Sequence, residues 1–248
     1  MSRKKLLIII SIFFALLALV LYFVFQNRNT PPASQSAGPK QVTGSALPNL
    51  PSSPVSVRHD ETVPASITGY DAAIQKAFTD FSSQKPAGPL EWSKISDSNN
   101  QPVSLDKFSR AVGMVLEPKL KNILDDRNYD LFACNDGGKI SFGINMNVRL
   151  LPSYNGNLYQ DEVGFMRAWE SSLFQDTAKV IFPNFNFTYE QLIQPTVFKD
   201  GVYRYADIHL PDDTTSSLNY ALIDDYVIIS SSSDCLKRAL AEVYSTSN

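Results

Sequence analysis

Twenty consecutive residues, Leu6 to Phe25, read LLIIISIFFALLALVLYFVF, and Ser11 is the only strongly polar side chain among them. As a helix, a run of this length spans about 30 Å, the thickness of bilayer hydrocarbon. A helix also satisfies its backbone polar groups internally, as lipid requires. Length and the lack of a polar face argue against a buried core helix. Arg3, Lys4 and Lys5 precede the run, and only Arg28 follows closely. That asymmetry places the N-terminus in the cytoplasm and the remainder outside. A cleaved signal peptide is the competing reading. Its apolar region would be shorter, ~7–15 residues, and would end at small residues. Here the run ends in Tyr22-Phe23-Val24-Phe25, and no cysteine follows closely as a lipid attachment point. The sequence therefore predicts a cytoplasmic stub over 1–5 and a transmembrane helix over 6–25, with the lipid bilayer as its first partner.

Residues 26–65 read as a disordered linker. Pro31, Pro32, Pro39, Pro48, Pro51, Pro54 and Pro64 are mixed there with Ser, Ala, Gly and Asn. Proline removes backbone donors, and so little apolar surface does not offset the entropy of ordering. Such a stalk holds a domain away from the bilayer or threads a cell-wall layer. Val55-Ser56-Val57 is its one short strand candidate. The remaining stretch, 66–248, is long enough for one domain with its own core.

The whole chain carries 22 basic and 25 acidic side chains, a formal charge of −3. From residue 26 onward the balance is 19 against 25, a formal −6. With no basic stripe, binding to a nucleic-acid backbone is excluded. Two cysteines, Cys134 and Cys235, and two histidines, His59 and His209, form no metal-ligand spacing, and nothing points to a cofactor. Outside the cytoplasm the cysteines can form one disulfide; the alternative is two buried thiols. Nothing in the chain fixes an oligomeric state.

Periodicity then places the elements. A helix is predicted over Tyr70–Phe81, capped by Thr68, with Ile74, Ala77, Phe78 and Phe81 on one face. SLDKFSRAVGMVLEPKLKNILDD predicts two short helices, one capped by Ser104 and one opened by Pro118. YDLFAC and KISFGINMNV are strands around Asn135-Asp136-Gly137-Gly138, a hairpin turn. One long helix is predicted over Glu162–Ile181, capped by Asp161, with Met166, Trp169, Leu173, Thr177 and Val180 as a core stripe. TVF and VYRYADIHL flank a second turn at Lys199-Asp200-Gly201, and LNYALID and YVIIS flank a third at Asp224-Asp225. A closing helix begins near Asp234. Hairpin-joined strands imply an antiparallel sheet, and helices packed on one face of it make the domain α+β.

The residues that carry chemistry are few. Ser230 to Ser233 lie between a strand and a helix, where a nucleophile elbow would sit, but no glycine flanks them. Ser231, His209 and Asp207 are the one triad that can be written. The plainer reading is a hinge, with hydroxyls satisfying backbone groups and Ser233 or Asp234 capping the helix. A third is that free N–H groups there hold a small anion, which Asp234 opposes. Glu91, Glu162, Glu170 and Asp176 are the carboxylates considered for acid–base work on glycans. Asp125-Asp126 and Asp212-Asp213 read as solvated loop charge. Tyr203, Tyr205, Asp207 and His209 share one strand face, an amphipathic candidate surface for protein or sugar. Asn186 opens an acceptor sequon, relevant only in a host that glycosylates it.

AWESSLFQDTAKVIFP, residues 168–183, resembles a helix of membrane-anchored exported proteins of small-genome candidate-phyla bacteria. YALIDDYVIISSSSDCLKRAL is similar to their closing module of strand pair, hydroxyl-rich joint and helix. It also resembles the ending of a broader bacterial family of unknown function. The resemblance covers residues 85–245 loosely. It implies bacterial origin, the anchor and the α+β fold, and transfers no catalytic residue. The expectation is a single-pass envelope protein whose exported domain binds or scaffolds an envelope protein or cell-wall partner. The alternative is an envelope hydrolase acting on peptidoglycan or peptide.

Overall fold

The structure, a computed structural model, describes residues 56–64, 69–149, 158–201 and 203–247. The apolar run 6–25, most of the expected linker and Thr68 lie outside these residues. Among the described residues no helix is long and apolar enough to cross a membrane.

Two short strands come first, β1 (Ser56–Arg58) and β2 (Glu61–Val63). Both fall in the stretch whose prolines read as linker. Helix α1 (Tyr70–Ser83) buries Ile74, Ala77, Phe78 and Phe81 as its spacing requires. Its N-cap is Gly69 at φ 77°, with no side-chain cap bond. Strands β3 (Leu90–Ser93) and β4 (Ile95–Asp97) follow. In α2 (Leu105–Val112) the Ser104 side chain accepts from the Lys107 N–H, and the helix stops at Gly113 in the left-handed region. Helix α3 (Pro118–Lys121) starts on its proline, with the Glu117 carboxylate accepting from Leu120 N–H.

The frame is a long hairpin of β5 (Leu124–Asp136) and β6 (Lys139–Val148). Gly137 and Gly138 both take positive φ at its turn, as a two-residue connection demands. Asp125 and Asp126, expected in a loop, lie in the irregular first part of β5, and Asp126 Oδ1 accepts from the Asp106 N–H.

The predicted long helix is two, α4 (Leu158–Trp169) and α5 (Leu173–Ile181). Asp161 therefore lies inside α4 rather than capping it. The break is chemically supported. Asp176 Oδ2 accepts from Trp169 Nε1 at 2.8 Å and from Ser172 Oγ at 2.7 Å, so one carboxylate ties together the side chains on either side of the interruption. A short α6 (Tyr189–Leu192) follows, closed by a capping box of Thr188 and Gln191. Thr196 to Phe198 form no strand; Lys199 makes a single bridge to Tyr205 instead. Strand β7 (Arg204–His209) pairs with β8 (Thr215–Ile223), which pairs with β9 (Tyr226–Ser230). Helix α7 (Ser233–Ser247) ends the described chain.

The main sheet has the order β1-β3-β5-β6-β9-β8-β7, antiparallel except where β1 runs parallel to β3. β2 and β4 form a separate parallel pair. Helices occupy both faces, not one. Phe78, Phe108, Trp169 and Ile181 pack on Leu131, Ile144, Tyr220 and Ile229 on the first face. Leu236, Ala239, Leu240 and Val243 of α7 pack on Trp92, Phe132, Ala221 and Ile228 on the second. A Cys134–Cys235 disulfide, with a Cα–Cα distance of 5.6 Å, ties that helix to β5.

Gly143, in β6, sits under the Phe132 ring. A Cβ there would overlap the ring and lie 2.5 Å from the Ile229 carbonyl oxygen. Gly143→Ala is therefore expected to cost about 1–3 kcal/mol in urea unfolding, the penalty of overpacking a filled core. Replacing both cysteines by serine is expected to cost about 2–5 kcal/mol in the same measurement, because a crosslink over a long loop restricts the unfolded chain strongly.

Candidate functional site

The serine joint is where strand β9 runs out of backbone partners. Pairing of Ser230 with Gly143 and Asn219 puts its side chain on the α7 face, so Ser231 turns to the opposite face. Ser231 N–H donates to the Phe142 carbonyl at 2.9 Å, and Phe142 N–H donates to Ser231 Oγ at 2.9 Å. Ser230 Oγ donates to the same carbonyl at 3.2 Å. Ser232 Oγ accepts from Asp234 and Cys235 N–H groups, so Ser232, rather than Ser233 or Asp234, supplies the cap of α7. The hydroxyls extend the β6–β9 ladder and then start a helix.

Ser231 also lines an open cleft of about 460 Å³ at this end of the sheet. Its floor is apolar, with Ile140, Phe142, Ile181, Phe182, Phe185 and Leu210. Its rim carries Lys139, Asp212, Thr214 and Ser216. Ser216 Oγ donates to the Ser231 carbonyl at 2.9 Å. The lining holds no histidine or cysteine and a single carboxylate, Asp212. Such a surface suits recognition of an apolar group with a few polar contacts at its edge.

The written triad does not assemble. Asp207 and His209 pair with Ser217 and Thr215 on the α7 face of the sheet, whereas Ser231 lies on the other. Asp207 is held at 2.5 Å by Lys199 Nζ, which also sits 5.6 Å from the Tyr205 ring centroid. Tyr203 packs with the α7 layer. The four residues thus run along one face of β7 without enclosing a pocket. β7 is the last strand of the sheet. On its outer edge, among the described residues, only Tyr205 has backbone bonds, both to Lys199.

The candidate carboxylates are scattered. Glu91 accepts from the Ala87 N–H at 2.7 Å. Asp176 serves the α4–α5 break. Glu162 is buried with neither carboxylate oxygen hydrogen-bonded. Glu170 takes a bidentate pair from Arg204, 2.8 Å from Nε and 2.7 Å from Nη2, and a 2.6 Å bond from the Tyr220 hydroxyl. Asp200 takes Arg204 Nη1 at 2.5 Å. Burial alone would lower the Arg204 pKa, but these hydrogen bonds and charges outweigh it and raise it. Burial, then the Glu170 bond, pushes the Tyr220 hydroxyl's pKa upward. This network went unread in the sequence. Its signal was Arg204 itself, a guanidinium on the strand face otherwise made by Ala206, Ile208 and Leu210. A charge there needs a buried partner. Among the described residues no group of acids, histidines and cysteines is placed to hold a metal ion.

No family model matches the chain, and neither the curated proteins nor the solved structures contain a detectable relative.

Because its charges are matched and enclosed, the Arg204 network serves as a clamp between β7, β8 and the α4–α5 break. Arg204→Met alone is expected to lose about 2–4 kcal/mol in denaturant unfolding, since it leaves the mostly buried Glu170 with only the Tyr220 hydroxyl and a 3.7 Å contact to Arg167. Adding Glu170→Met is expected to recover much of that loss.

Proposed function

We propose that the chain is a single-pass membrane-anchored envelope protein whose extracytoplasmic α+β domain binds a partner non-catalytically. The observation that carries the location is the Cys134–Cys235 disulfide, enclosed with both residues at 0% exposure. Disulfides of this structural kind persist in oxidising compartments and are rare in a reducing cytosol. The apolar run 6–25 and the basic residues before it supply the anchor and the orientation in this reading. The prolines of 26–55 supply reach.

Two adjoining features support binding. The outer edge of β7 presents unpaired backbone groups at Asp207 and His209, suited to an extended segment of a partner protein. Beyond His209, Leu210 leads into the cleft beside Ser216 and Ser231, which would accept an apolar side chain. The hydrolase alternative gains no favouring observation: Ser231 is engaged with Phe142, and the candidate carboxylates do not face one another across a cleft.

Fractionation of bacteria expressing the full chain, with free thiols trapped before lysis, tests the location. The expected result is full-length protein in the membrane fraction, both cysteines blocked to alkylation until reduced, and the folded domain degraded by protease added to wall-stripped cells. Soluble protein with two free thiols would overturn the reading. Binding is tested by proximity crosslinking from a photoreactive residue at position 207. A defined envelope partner whose capture is reduced about tenfold by His209→Pro, which blocks the neighbouring edge N–H, supports it; capture unchanged by that substitution removes β7 as the contact.

A further inference from the structure

Glu162 lies at the end of the sheet opposite the serine cleft. It points inward from the first half of α4 and is 1% exposed. Both carboxylate oxygens are buried and neither has a hydrogen-bond partner. A buried ionised carboxylate without a partner is among the costliest arrangements a protein interior can hold. The nearest charge makes it worse, because Asp225, in the β8–β9 turn, repels it.

Among the described residues no cation offsets this. On α3, Lys119 lies over the Phe165 ring, Lys121 pairs with Asp106, and Glu117 caps its own helix. Arg149, just past β6, is exposed. On α4 itself, Arg167 pairs with Asp200 at 3.2 Å and Glu170 at 3.7 Å, while Tyr159 is a phenol whose own ionisation Glu162 opposes. Asp161 and Asp224, the remaining acids on these elements, add no attraction. Burial first, and Asp225 second, are what act on the Glu162 carboxyl.

We propose that Glu162 is a proton-operated latch: protonated, it lets the first half of α4 seat against the β8–β9 turn, and ionised, it must leave for water and lift that half of the helix away. The released proton goes to solvent. Burial and Asp225 push the Glu162 pKa from 4.5 up to about 7. An acid raised in this way favours the closed state fully below its unfolded value, and the preference is lost as pH rises from 4.5 to about 7. The helix is therefore seated in mildly acidic fluid and loosened in neutral or alkaline fluid. Trp169, buried at the far end of α4, provides an internal reporter.

The test uses the full-length chain in detergent micelles. Amide hydrogen exchange of residues 158–169, corrected for the intrinsic pH dependence of exchange, is compared at about pH 5.5 and about pH 8, together with tryptophan emission. Opening of α4 is expected to increase roughly tenfold or more across that interval, and the increase is expected to vanish in Glu162→Gln. An unchanged wild-type rate, or a Gln variant that keeps the wild-type pH profile, overturns the latch. If the Gln variant fails to fold, the carboxyl carbon shift of Glu162 in the wild type decides. A titration midpoint near 7 that moves downward in Asp225→Asn supports the latch, and a midpoint at an ordinary carboxyl value overturns it.

Discussion

The covalent tie between Cys134 and Cys235 organises the second face of the sheet. It joins residues 101 positions apart in sequence, the middle of the domain to its last helix. α7 would otherwise be a terminal helix held by one apolar stripe, the kind of element that frays first. Fixing its first turn over β5 keeps Leu236, Ala239 and Leu240 on Phe132, Ala221 and Ile228. Ser232 reinforces the same turn by capping it. Cap and crosslink act within four residues of one joint, Ser232 to Cys235.

That seating also dictates the size of its neighbours. Phe132 fills the space between β5 and α7 by lying across β6, and only Gly143 leaves room for it. Trp92 stacks on Phe132 with ring centroids 5.1 Å apart, extending the contact to β3. Further along the row the aromatic core gives way to Gly143, Ser230 and Asn219 before Tyr205 at the β7 edge. The second face thus grades from an aromatic core beneath α7 to a surface built from Tyr205, Asp207 and His209. The first face has no such gradient. It is mostly apolar, interrupted by the partnered Arg204–Glu170–Tyr220 network, by Ser231 at one end and by the unpartnered Glu162 at the other. Edge strand β7 is therefore clamped from one side and open on the other, an arrangement that keeps an edge straight while leaving it available.

Local chemistry made much of this legible. The Gly137-Gly138 turn, the Asp224-Asp225 turn, Ser104 as a cap and the proline opening α3 all act within a few residues, and sequence periodicity reports such effects directly. What escaped depends on distant partners. Residues 162–181 carry a nearly continuous helical stripe, so nothing local marks the break; it is supported by Asp176 reaching back to Trp169, and it releases Glu170 toward Arg204. Thr196–Phe198 have strand-like residues but find only one bridge. Helices on both faces were hidden because α7 and α5 have similar stripes, and which face each covers follows from β9 and from the disulfide. Of the sites considered, Ser231, His209 and Asp207 could be written as a triad, yet strand alternation separates Ser231 from the other two across the sheet.

The two ends of the sheet are chemically unlike, and the difference follows from what each turn region must bury. At the Ser231 end, strands β6, β8 and β9 finish against the carboxyl end of α5, and hydroxyls meet the last backbone groups without introducing charge. The result is an apolar cleft whose charges, Lys139 and Asp212, are confined to its rim among hydroxyls. At the Glu162 end, a carboxyl group is buried beside a turn made of two aspartates, with no cation acting on it. Asp224 already occupies positive φ there, a conformation most side chains avoid. One turn thus concentrates negative charge and backbone cost, and burial together with Asp225 biases the nearby Glu162 carboxyl toward its neutral form.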